Sequence, residues 1–248
     1  MAAAKSLAGK AAGLVYLAGC LLFSAGADPL PVRLLSDTVY AQLVPRRSAS
    51  FSSQLAPCVR YHEEVVLENG DKDIRLRFYS EEDPASPPAA FRAWVGQTQV
   101  RPVRETAPEE LLLLGEKSGC PVRYAWTMPL AFAARERKRI RIEAEYPVQP
   151  VPDRPDRDRF ETYFSCWGWR PAAADLLFHF DLAPMTATIP CLGRAPAPAL
   201  GPWLFSAWCT IRPAGYESRG FAIDWRFPEA QGRDRCTKIY VEWPAWYR

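Results

Sequence analysis

Residues Arg139 to Tyr146 alternate without interruption. Ile140, Ile142, Ala144 and Tyr146 occupy one parity, and Arg139, Arg141, Glu143 and Glu145 the other. A period of two places one set on a buried face and the other toward water, which is the pattern of a half-buried β-strand and not of a helix. The same alternation recurs along the chain. In Val59–Glu68, Tyr61, Val65 and Leu67 share a face, with Arg60, His62, Glu64 and Glu68 mostly opposite. Ile74, Leu76 and Phe78 alternate with Arg75, Arg77 and Tyr79. Tyr124, Trp126 and Met128 begin a strand that runs to Phe132, and Leu176, Phe178, Phe180 and Leu182 share another face. Phe221, Ile223, Trp225 and Phe227, then Ile239, Val241 and Trp243, complete the series. Val32–Val44 has strand character too.

Turn residues separate these runs. Asn69-Gly70-Asp71 joins two strands as a hairpin or near-hairpin, and Gly96-Gln97 joins Phe91–Val95 to Gln99–Val103 as a further hairpin. Thr106-Ala-Pro-Glu109 fits a capping box before a short helix over Leu111–Leu114, stopped by Gly115. Arg135-Glu-Arg-Lys138 makes a charged turn. Strands every 10–20 residues with polar turns predict an all-β, antiparallel sandwich. Between residues 147 and 159, Pro147, Pro150, Pro152 and Pro155 interleave with Asp and Arg. Such a stretch reads as extended and solvated. The expected organisation is a first sandwich module over 28–146, a linker over 147–159 and a Trp-rich second module over 160–248; the alternative is a long loop inside one sandwich.

The N-terminus supplies an address. Lys5 and Lys10 precede an apolar run, Ala11 to Phe23, which closes on Ser24-Ala25-Gly26-Ala27. This is a secretory signal with cleavage after Ala27. Two alternatives stand beside it. Leu17-Ala18-Gly19-Cys20 matches a lipobox, with Cys20 as the lipidated residue, and the segment also suits an uncleaved anchor. Arginine far outnumbers lysine, Pro reaches 24 and Asn69 is the sole asparagine, a skew that suggests a GC-rich genome and a bacterial periplasm or surface. The formal charge of +3 falls to about +1 without Lys5 and Lys10, which leaves no electrostatic footprint for nucleic acid. A membrane partner enters only through Cys20.

Beyond Cys20 the cysteines are Cys58, Cys120, Cys166, Cys191, Cys209 and Cys236. An even set in an exported chain predicts disulfides, although six residues allow 15 connectivities. Local pairing predicts Cys58–Cys120, Cys166–Cys191 and Cys209–Cys236. No C-x-x-C occurs and His62 and His179 are the two histidines, so no metal site and no cofactor is expected.

The closing strands of the first half carry a family resemblance. Tyr124-x-Trp126 leads to Phe132, then to a charged turn and the alternating strand ending at Tyr146. Residues 58–148 thereby resemble exported bacterial β-sandwich proteins of the vault/inter-alpha-trypsin-like and macroglobulin-like type. The resemblance implies an exported sandwich and assigns no catalytic residue.

Catalytic chemistry has thin support. No G-x-S-x-G frames a serine, so His62 and His179 read as solvated surface histidines. Glu63, Glu143, Glu145, Asp181, Asp224 and Glu242 are candidate carboxylates for a hydrolase, but nothing in the sequence sets their separations. No glycine-rich phosphate loop is present. Of the nine Trp, all but Trp94 lie from Trp126 onward. Trp203, Trp225 and Trp243 share faces with Phe, Ile and Val and read as core. Trp208 lies opposite that face, and Trp167 and Trp169 flank Gly168 beside Cys166. Exposed rings of this kind stack on sugars or peptides. The expectation is a non-catalytic envelope protein that recognises a protein or glycan partner through Trp167, Trp169 and Trp208. The alternatives are a lectin-like module and an envelope hydrolase.

Overall fold

The alternating strand at Arg139 builds the centre of the molecule. In the computed structural model it is β8 (Arg137–Pro147), with Ile140, Ile142, Ala144 and Tyr146 buried and the charged set turned outward. The structure describes residues 32–45, 57–82, 86–165, 170–183, 209–227 and 236–245. In chain order the other elements are β1 (Arg33–Val44), β2 (Cys58–Glu68), β3 (Ile74–Glu82), β4 (Ala90–Val95), β5 (Thr98–Val100), β6 (Val103–Thr106), α1 (Glu109–Ser118) and β7 (Tyr124–Phe132). After β8 come β9 (Gln149–Val151), β10 (Arg154–Ser165), β11 (Arg170–Asp181), β12 (Thr210–Arg212), β13 (Glu217–Arg219), β14 (Ala222–Phe227) and β15 (Cys236–Pro244).

These strands form an all-β sandwich. One layer is an eight-stranded sheet in the order β13-β14-β11-β1-β2-β8-β4-β5. Its pairs are antiparallel except β1 with β11, which run parallel. The opposing layer holds a four-stranded sheet, β12-β15-β10-β9, and a three-stranded sheet, β3-β7-β6. A single apolar core joins all three. Val39, Val59, Ile140, Phe178 and Trp225 enter it from the large sheet, Phe160, Val241 and Trp243 from the second, and Leu76, Met128 and Phe132 from the third. Aromatic contacts cross the layers, as where the Phe160 and Phe180 rings stack at 5.5 Å and Phe164 meets Phe178 edge-on at 6.0 Å. Trp225 and Trp243 are core residues, as the strand patterns predict; Trp203 lies outside the described residues.

Three local expectations are corrected. Asn69-Gly70-Asp71 does not close a hairpin, because β2 pairs with β1 and β8 while β3 pairs with β7 in another sheet. Asn69 is buried, and its side-chain amide donates to the backbone carbonyls of Lys72 and Ala133, both at 2.7 Å. It pins a crossover between layers instead. The helix begins after Pro108 without a side-chain cap and runs through Gly115 to Ser118, ending on Gly119 in the left-handed region at φ 75°. Gly115 permits this: a Cβ there would stand 2.7 Å from the Cys120 carbonyl oxygen. Burial of Leu111 under this helix, against Tyr79 and Ala125, contributes about 1.5–3 kcal/mol. Finally, residues 147–159 are not a linker. They end β8, form β9 and begin β10, which pairs with β15 along Arg157–Ser165. Pro150 lies on the sheet-edge strand β9 and Pro155 precedes the β15 register, places where a missing N–H is tolerated. With β1 and β11 in one sheet and one core spanning both halves, the chain does not divide there.

The disulfide expectations change as well. Cys58 and Cys209 are thiols, so Cys58–Cys120 and Cys209–Cys236 do not form. Cys58 opens a strand of the large sheet, whereas Cys120 packs in the small cluster beneath α1. A disulfide requires Cα atoms within about 7 Å. Cys120 is half of a disulfide with neither of them. Burial pushes the Cys209 thiol up to about 12, the range of an inert cysteine. Cys20, Cys166 and Cys191 lie outside the described residues, and Cys236 opens β15.

Candidate functional site

The outward parity of the large sheet is polar, and its middle is hollowed. Register sets one row of neighbours across the strands: Asp224, His179, Tyr40, His62, Glu143 and Arg92. The next row, two residues along, is Asp181, Gln42, Arg60, Glu145 and Ala90. Apart from Asp224, which touches it only through His179, these residues line a trough of about 530 Å³. That volume falls in the range of small-ligand sites.

The two histidines of the chain thus flank one tyrosine. Tyr40 is 49% exposed, and its ring lies against His179 at 5.6 Å with a 53° tilt. His179 Nδ1 stands 2.6 Å from Asp224 Oδ1, so the carboxylate orients the ring. A carboxylate on one ring nitrogen selects the tautomer and leaves the other nitrogen for a ligand. Gln42 donates to Asp181 at 3.2 Å, and Asp181 also accepts the Ala183 N–H at 2.8 Å. Arg92 and Arg141 approach Glu143 at 3.7 and 3.9 Å, and the Arg141 guanidinium covers the Trp94 ring at 4.1 Å.

Among the described residues, Arg60, His62 and the Tyr40 hydroxyl make no hydrogen bond or ion pair. They are neighbours, since Tyr40 pairs with His62 and Gln42 with Arg60. Among the described residues no serine, threonine or cysteine lines the trough, so none of them supplies the nucleophile of a Ser–His–Asp arrangement there.

Of the six carboxylates raised by sequence, four meet at this place: Glu143, Glu145 and Asp181 in the lining and Asp224 behind His179. Glu63 points the other way, toward the core. It accepts the Tyr61 hydroxyl at 2.9 Å, and burial raises its carboxyl to about 7 against that hydrogen bond, which lowers it. The Tyr61 hydroxyl is itself raised, first by burial and then by the Glu63 charge. Glu242 lies on the four-stranded sheet, fully buried. Trp167, Trp169 and Trp208 lie outside the described residues. Sequence alternation assigns His62 and His179 to polar faces but gives no hint that the faces coincide, and it does not single out Tyr40. Sequence parity could not find the row, because β2 and β11 meet only through the parallel placement of β11 beside β1.

The fold is similar to that of a candidate nutrient-binding protein from Legionella pneumophila, at 13% identity, with 86% of this chain and 67% of that one covered and a TM-score of 0.56. At that identity the likeness is one of fold. An M1 zinc metallopeptidase of Deinococcus radiodurans aligns with 86% of this chain at 11% identity and a TM-score of 0.37. This chain covers 43% of that enzyme, less than half its length. No protein-family model matches the chain. No curated protein matches it either.

Proposed function

We propose that the chain is an exported, non-catalytic binding protein of the bacterial cell envelope, and that it takes a glycan in the trough of the large sheet. The observation that carries this reading is the trough itself: a polar concavity of about 530 Å³ with one exposed ring, Tyr40, beside His62, Arg60 and Gln42. A protein interface of useful affinity centres on apolar anchors that exclude water. Here the lining offers alanines and charged or polar side chains around one exposed amphipathic ring, Tyr40, with Tyr61 buried beneath, which suits a hydroxyl-rich ligand with one apolar ring face. The export part rests on residues 1–27 and their charged, apolar and small-residue order.

The test is a glycan array with wild type and Tyr40→Ala. Wild type is expected to bind a subset of glycans and Tyr40→Ala to lose at least tenfold in affinity for them. Binding confined to peptides, or equal binding by both proteins, would overturn the assignment. Intact mass of the exported product tests the address. A chain starting at Asp28 identifies a periplasmic protein, and acylated Cys20 a lipoprotein. Retention of Met1 on a cytoplasmic product would refute export.

A second reading, an envelope hydrolase, is favoured by His179 on Asp224 at 2.6 Å in a trough that Glu143 and Glu145 line on the far side. Turnover of an array-positive glycan by wild type, lost in His179→Gln and Glu143→Gln, would establish it in place of the binding role.

A further inference from the structure

Which hydrogen-bonding groups of the trough are already used, and which are not, bears on its ligand. Three of the carboxylates at the trough already have partners. Glu143 is shared by Arg92 and Arg141. Both Asp181 oxygens are taken, one by the Gln42 amide and one by the Ala183 N–H. Asp224 is engaged by His179. Among the described residues, three donors of the lining have no partner: the Arg60 guanidinium, the Tyr40 hydroxyl, and His62, which donates from one ring nitrogen in either tautomer. They belong to adjacent positions of β1 and β2, so one chemical group can meet them together. What complements them is a group rich in acceptors and negatively charged, and a guanidinium fork matches the two oxygens of a carboxylate.

We infer that the glycan of the trough is acidic: a sugar whose carboxylate sits on Arg60 and His62 while its ring face lies on Tyr40. The inference rests on the glycan reading above and adds the charge. Arg60 is exposed and has its whole fork available, whereas Arg92 spends part of its charge on Glu143. Carboxylate recognition by an exposed arginine is salt-sensitive, because the Debye length at physiological ionic strength is about 8 Å.

The experiment measures binding of carboxylate-bearing glycans, of uronic- and sialic-acid type, against the same glycans after reduction of the carboxyl to the alcohol. Wild type is expected to prefer the acidic forms at least tenfold, with the preference shrinking as salt is raised. Arg60→Gln, a substitution at an exposed position, is expected to abolish that preference, and His62→Gln to reduce it. Equal affinity for the acidic and reduced forms would sink the charge assignment and leave the glycan reading standing. No binding by either form would sink both. A preference that survives in Arg60→Gln would place the carboxylate elsewhere and overturn the inference.

Discussion

Two sheet faces of this molecule are built from the same side chains and end in opposite conditions. On the outer face of the four-stranded sheet, Glu242 is fully buried and saturated. Arg154 donates to it at 2.7 Å, Arg157 forms a second charged bond, and the Tyr240 hydroxyl donates at 2.7 Å. Burial together with the Glu242 carboxylate raises that tyrosine to about 12, so it remains a donor at any ordinary pH. Glu161, also buried, meets Lys238 at 3.0 Å and Arg159 at 3.6 Å. On the outer face of the large sheet, arginine, glutamate and tyrosine recur, but Arg60, His62 and the Tyr40 hydroxyl are left unused in a trough. A buried charge left without partners costs several kcal/mol, so the carboxylates of the first face must each be matched by cations. A half-exposed face pays little for incompleteness because water serves its groups, and that tolerance lets it keep donors for a ligand.

The largest test of this contrast is Glu242→Ala. It strands two guanidinium groups and a phenol, and should cost about 3–5 kcal/mol in chemical denaturation. A loss below about 1 kcal/mol would erase the distinction between the faces. Glu63→Gln comes next and acts through pH. The native Glu63 carboxyl titrates at about 7 and the unfolded one near its ordinary value of 4.5. The native state therefore holds a proton that the unfolded state gives up. The stabilisation is complete below pH 4.5 and is lost as pH rises through 7. Allowing for partial solvent contact, the loss is on the order of 2 kcal/mol. Urea midpoints at pH 5 and pH 8 should diverge for wild type and nearly coincide for Glu63→Gln; parallel behaviour of the two proteins would contradict this.

Smaller effects are expected in the trough. Tyr40→Ala should change stability by no more than about 0.5 kcal/mol while glycan affinity falls at least tenfold. If its melting temperature fell as far as that of Glu242→Ala, Tyr40 would be structural. Smallest of all is Arg135→Ala, which removes an exposed pair with Asp71 at 2.7 Å and should leave the denaturation curve where it was.

The sequence was informative about strands and poor about their partners. Ile140, Ile142 and Ala144, and likewise Phe178 and Phe180, are buried as their alternation requires. The Gly96-Gln97 hairpin is present between β4 and β5. The turn at Asn69 misleads because its residues suit a tight hairpin, while the choice of layer was settled by Ala133 and Glu136, more than 60 residues away, through bonds to Asn69. The stretch from Pro147 to Arg159 misleads for another reason. Its polarity suggests water on every side, yet Asp158 is fully buried and Arg157 reaches Glu242 from β15. Polar side chains satisfied by distant partners are indistinguishable, in a sequence, from polar side chains satisfied by water.

What the sequence determined by itself is the parity of each strand, and hence which residues face the core, because that depends on neighbours two positions apart. What only the tertiary structure decided is which polar parities coincide. His62 and His179 share one trough because β11 lies parallel to β1 while β2 lies antiparallel to it, so that Tyr40 pairs with both. Strand order and register arise from the packing of the whole core, a sum over contacts distant in sequence, and no local pattern of residues encodes that sum.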